Sequence, residues 1–176
     1  MAPVDLRSIQ TALRDQYRQD PESALVTTAA RSVSYDLSDP QHCVVAPEAY
    51  PEVQISSGLH AAAGGRGDVP CSGDILAAAL AICEESTIRS VAANLGIQLE
   101  AVEVEARITW DFRGTLAVDR SVPVGALKIN LQSNVRVSEG VDEEWAQRFL
   151  RSAERYCSTL QTLRSGVEVE TAFHLE

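Results

Sequence analysis

No stretch of this chain approaches the roughly 18 consecutive apolar residues that a membrane span requires. The segment Met1 to Arg7 shows no basic start leading into an apolar run. A soluble, cytoplasmic protein is therefore expected. An excess of positive charge is missing too: 15 basic residues stand against 25 acidic ones, a formal charge of −10. Such a chain repels nucleic acid and anionic membrane surfaces, so neither is an expected partner. There is also no Cys-x-x-Cys pair and no cysteine and histidine cluster at zinc spacing. The cysteines, Cys43, Cys71, Cys83 and Cys157, lie far apart. That spacing argues against a structural zinc and against a secreted disulfide framework, and no metal or bound organic cofactor is expected. Internal repeats and low-complexity tracts are absent. At 176 residues the expectation is one domain, 1–176, long enough to bury roughly 70% of its unfolded surface.

What is present divides into helical and alternating segments. Leu6, Ile9, Leu13 and Tyr17 recur at helical spacing, which predicts an amphipathic helix over residues 4–19, on the outside of the domain and ended by Pro21. From Ala24 to Ile55 the chain leans to β, with Leu25 to Thr28, Ser32 to Tyr35, Cys43 to Val45 and Val53 to Ile55. Interruptions at Asp39-Pro40 and Tyr50-Pro51 leave three short strands. Residues 57–70 carry four glycines and predict a flexible loop. Within it, Arg66-Gly67-Asp68 is too short a match to imply adhesion in a chain without a secretion signal. The glycine run lacks both the preceding strand and the Gly-Lys-Ser/Thr of a phosphate loop.

The strongest element is a helix from about Asp74 to Leu95, with Ser72 placed as N-cap, Asp74 in the first turn and Gly96 as a stop. Residues 75–83 are apolar without a break. A helix apolar all round must be covered on nearly every side, so this one is expected at the centre of the fold. Three alternating strands follow: Val102, Val104, Ala106, Ile108, Trp110 and Phe112; then Leu127, Ile129, Leu131, Val135 and Val137; then Val167, Val169 and Phe173. Between the last two lies a helix from about Asp142 to Cys157, with Ala146, Leu150, Ala153 and Cys157 on one stripe. Helix and sheet are segregated along the chain, which predicts an α+β fold with antiparallel sheets.

Cys83 and Cys157 thus both point toward packed helix faces. They are either a redox pair or small core residues, since free cysteine is among the most buried residue types. Cys71, before the central helix, is a further candidate thiol, and Cys43 fits strand packing. His42, His60 and His174 stand apart from other ligands, and Arg113 in Asp-Phe-Arg-Gly fits a turn.

Four stretches in order resemble the OsmC/Ohr family (osmotically inducible protein C and organic hydroperoxide resistance). They are Gly73 to Cys83 with its continuation Ser86 to Ile97, Asp111 to Thr115, Ala153 to Leu163, and Val167 to Thr171. The resemblance implies an intertwined homodimer in which antiparallel sheets wrap long buried central helices. It implies that Cys83 attacks an organic hydroperoxide, that Cys157 resolves the sulfenic acid as a disulfide, and that an external dithiol restores both thiols. The family's peroxidases pair the attacking cysteine with a glutamate ten residues earlier and an N-terminal arginine. Here Gly73 stands ten residues before Cys83 and Asp74 beside it, about 100° further round the helix. Arg31 is the candidate arginine and Arg66 a second. A free thiol has a pKa near 8.5 and burial raises it, so the expectation is that Cys83 needs such a cation, the more so with Glu84 and Glu85 following. The competing class is a non-enzymatic module that binds a small apolar ligand and keeps its cysteines for packing.

Overall fold

The computed structural model describes residues 4–32 and 36–175. The strand expected over Ser32 to Tyr35 falls largely on residues outside that range. Helix α1, Leu6–Gln19, starts where the Asp5 carboxylate accepts the Ser8 amide at 3.1 Å and ends at Asp20, before Pro21. Its apolar stripe stays open, with Ile9 half exposed. Strands β1 (Ala30–Ser32), β2 (His42–Pro47) and β3 (Ile55–Gly58) form an antiparallel sheet in that order, Arg31 lying opposite Ala46 and Val44 opposite Ser56.

The glycine-rich run is tied down rather than loose. The Gly58 amide and the Ser57 hydroxyl both donate to the Pro70 carbonyl, at 3.2 and 3.0 Å. From its other end His42 reaches Asp68 at 3.0 Å while holding Asp39 at 2.7 Å. Helix α2, Ser72–Leu95, opens with the Ile75 amide donating to the Cys71 carbonyl, so Cys71, not Ser72, is the cap. Asp74 reaches back to accept the Cys71 amide at 2.9 Å, one half of a capping box. Gly96, at φ 71°, ends the helix in the left-handed region, where a side chain is disfavoured.

Strands β4 (Leu99–Thr109) and β5 (Lys128–Val137) form a two-stranded sheet. Bonds from Leu127 to Thr109 and from Ser138 to Gln98 set an antiparallel register, and burial alternates along both strands as the sequence pattern requires. Phe112 leaves the pattern because Asp111 caps the short helix α3, Phe112–Thr115. Helix α4, Glu143–Tyr156, is capped by Asp142, and α5, Ser158–Ser165, follows after a single residue.

Two expectations are corrected. Residues 167–175 form no strand: no described strand pairs with them, and Val169 and Phe173 are 76% and 92% exposed. A strand without a partner leaves its ladder groups to water. The apolar segment of α2 is also not covered on every side, for Leu80 and Ile88 are fully buried while Ile82 is 69% exposed.

The chain divides into two compact units, one of residues 1–78 and 106–131, the other of residues 79–105 and 132–176. In the second, Ile88, Ala92, Ile97, Phe149 and Ala153 form a core that the inward residues of β4 and β5 cover. In the first, no apolar side chain among the described residues is fully buried. The architecture is α+β, with antiparallel sheets and segregated helices.

Candidate functional site

Two helices with almost no spacer between them create the site. Cys157, at φ −71° and ψ 100°, leaves helical geometry for one residue. Its amide still closes α4 on the Ala153 carbonyl at 3.1 Å, and its carbonyl already receives the Gln161 amide of α5 at 3.0 Å. The first amides of a helix have no partner inside it and carry the positive end of its dipole. At α5 that end faces a sulfur. The Thr159 amide donates to Cys83 Sγ at 3.5 Å, and the Ser158 hydroxyl lies 3.5 Å from the same atom.

Cys83 is half-buried, and burial taken alone pushes its thiol up. Hydrogen bonds from Thr159, Ser158 and the Cys157 thiol overcome that, lowering it to about 7. Cys157 is fully buried and moves the other way, to about 12: burial is the main cause, and Glu84 and Cys83 add to it against a hydrogen bond from the Leu160 amide. Both cysteines are free thiols. The acidities of the two thiols are thus driven in opposite directions.

Glu84 is the third member of the cluster. It follows Cys83 on α2, is 4% exposed, and leaves its Oε2 buried without a partner. Glu85, by contrast, pairs outward with Arg89 at 3.4 Å.

The other residues singled out in the sequence are engaged elsewhere. Asp74 lies about two and a half turns before Cys83 and accepts the Cys71 amide and thiol, which hold its carboxyl below the usual range. Arg31 is exposed on β1 and pairs with Glu48 at 3.6 Å. Gly73 packs closely on Trp110: a Cβ there would lie 3.2 Å from the indole nitrogen, so a side chain at this position needs the ring to give by a few tenths of an ångström. The groups hydrogen-bonded to the Cys83 sulfur are those at the N-terminus of α5. What the sequence reading missed was α5 itself. Its signal was the Cys157-Ser158-Thr159 run, cap-type residues directly after a helix.

The first unit holds a separate cavity of about 420 Å³, lined among others by Leu59, His60, Cys71, Trp110 and Phe112, with His60 stacked on Phe112 at 4.7 Å.

A family model described as OsmC-like protein matches residues 65–172. Curated proteins give no match. Among solved structures, an OsmC-like protein from Mycoplasma pneumoniae aligns over 80% of this chain and 89% of its own, with 15% identity and a TM-score of 0.62. An organic hydroperoxide resistance protein from Elizabethkingia anophelis aligns over 82% and 93%, with 18% identity and a TM-score of 0.62. One from Legionella pneumophila aligns over 84% and 96%, with 22% identity and a TM-score of 0.59. At these identities the likeness is one of fold.

Proposed function

Because this chain belongs to the OsmC-like protein family, we propose that it serves in resistance to organic hydroperoxides, as a thiol peroxidase acting through Cys83 and Cys157. The observation that carries this reading is the pairing of two free thiols whose acidities are driven apart, about 7 for Cys83 and about 12 for Cys157. At neutral pH roughly half of Cys83 is thiolate, the nucleophilic form. The thiolate attacks the O–O bond of a hydroperoxide. One oxygen stays on sulfur as a sulfenic acid, and the other leaves as an alkoxide that takes a proton to become the alcohol. Cys157 then displaces hydroxide from the sulfenic sulfur, giving the disulfide and water, and an external dithiol returns both residues to thiols. The Thr159 and Ser158 donors do for Cys83 what the expected arginine would have done, so neither Arg31 nor Asp74 is required at the sulfur.

The working form is proposed to be a homodimer. The exposed Ile82 face of α2, the uncovered Val169 and Phe173, and a first unit without a buried apolar side chain among its described residues all call for a second copy.

The test is stoichiometric addition of an alkyl hydroperoxide to the reduced protein, followed by disulfide mapping. A Cys83 to Cys157 linkage that disappears in Cys83→Ser, together with peroxide consumption, supports the activity. No linkage and unchanged consumption in Cys83→Ser sink it. One feature favours a second reading, as a module binding a small apolar ligand: the aromatic-lined cavity of the first unit. Ligand-dependent protection of Trp110 fluorescence that persists in Cys83→Ser distinguishes that function.

A further inference from the structure

The cavity of the first unit encloses about 420 Å³, toward the lower end of what small-molecule sites enclose, and neither Cys83 nor Cys157 lines it. Its walls come from that unit alone. Leu59 and His60 enter from the glycine-rich run, Asp74 from the first turn of α2, Ile108 from β4, and Trp110 and Phe112 from just beyond that strand. With no side chain at Gly73, the Trp110 indole lies close against the same first turn that carries Asp74.

The charge on these walls has one sign. Among the described residues that line the cavity there is no lysine or arginine, and Asp74 is the only carboxylate. Its side chain is exposed, and the Cys71 amide, accepted by Oδ2 at 2.9 Å, occupies one of roughly four lone-pair positions on the group. That bond holds the carboxyl below its usual range, so Asp74 is an anion at neutral pH. His60 supplies no balancing proton on Nδ1, which accepts the Ala62 amide at 3.0 Å, and its ring is stacked on Phe112.

From this arrangement we propose that the cavity binds a small organic cation, an alkylammonium with an apolar body, its ammonium on Asp74 and its body against Trp110 and Phe112. The inference rests on reading the cavity as a ligand site and is independent of the thiols. An ammonium is drawn both to a carboxylate and to the face of an indole. The apolar walls reward a hydrocarbon body, and a chain of formal charge −10 gathers cations near its surface. A metal ion does not fit the same description, since no group of three or more histidine, cysteine or carboxylate side chains is placed to hold one among the described residues.

The experiment uses the full chain carrying Trp145→Phe, which leaves Trp110 as the only indole. It is titrated at low ionic strength and about pH 8, where an ordinary imidazole is neutral and an alkylamine charged. The probes share one shape: cyclohexylmethylamine, cyclohexylmethanol and cyclohexanecarboxylate. Trp110 fluorescence gives the affinities. The amine is expected to bind about tenfold more tightly than the alcohol, and the carboxylate most weakly. Asp74→Asn keeps an oxygen for the Cys71 amide and removes the charge; it should cost the amine about tenfold and leave the alcohol within about threefold. If Asp74→Asn does not fold, Asp74→Ser, which also keeps an acceptor oxygen, carries the same comparison. Amine and alcohol affinities within about threefold of each other in the parent chain, or an amine preference that survives loss of the carboxylate, overturn the proposal and leave the cavity a site for neutral apolar ligands. No change in Trp110 fluorescence with any probe at millimolar concentration removes the proposal and the ligand-site reading of the cavity together.

Discussion

Cys83 carries a thiol that hydrogen bonds draw below its ordinary pKa against the opposing effect of burial. Its acidity comes from one amide and one hydroxyl at the start of α5. The alkylation rate of Cys83 is therefore expected to rise with pH about a midpoint near 7, and Ser158→Ala should move that midpoint upward by up to about one unit. Iodoacetamide labelling with peptide-resolved mass spectrometry reads both, and a midpoint unchanged in Ser158→Ala would show the hydroxyl to be idle. Gly73 is the complementary case. The Trp110 ring leaves little room for a side chain there. Restoring a glutamate there should cost about 1–3 kcal/mol in denaturant melts and give no gain in peroxide turnover. That Cys157 lies on the core side of its helix was legible from helix periodicity. That Glu84 turns inward was not, since an acidic residue after the cysteine reads equally well as solvent-facing until packing fixes the helix rotation.

At the scale of elements, α2, α4 and the alternation in β4 and β5 were legible because each repeats one short-range rule over ten or more residues. The C-terminal segment obeyed the same alternation and still formed no strand. Alternation marks a segment able to pair but says nothing about whether a partner strand exists in the chain. The glycine-rich run read as loose because its ties, Ser57 to Pro70 and His42 to Asp68, are long-range and leave no periodic trace. Hydrogen bonds to Asp68 and Asp39 raise the His42 pKa above its ordinary value of 6.5. A raised pKa means that the tether contributes fully below about 6.5 and is lost as pH climbs through the higher folded value. Asp68 and Asp39, lowered by the same bonds to His42, set the acidic limit, because their contribution fades as pH falls below 3.8. Tryptic cleavage after Arg66, normalised to a reference peptide, is accordingly expected to accelerate as pH rises above neutrality. In His42→Gln it should be fast and nearly flat.

For the whole molecule, the two units differ in what they can do alone. The second has a closed core, and Phe149→Ala, at a site 1% exposed, should cost about 3–5 kcal/mol. The first has no comparable core among its described residues, the observation on which the proposed dimer rests. Light scattering at micromolar concentration is expected to give twice the 19.0 kDa chain mass, and Ile82→Glu to reduce it to one. A monomeric parent protein would remove the dimer from the account. One consequence belongs to the spacing of residues 157–159. The proposed resolving thiol, and the hydroxyl and amide bonded to Cys83, come from three consecutive positions at one joint. Any displacement of that joint carries all three together. The site is thus intolerant of a change in chain length: one residue inserted after Cys157 would turn both donors away from the sulfur at a stroke.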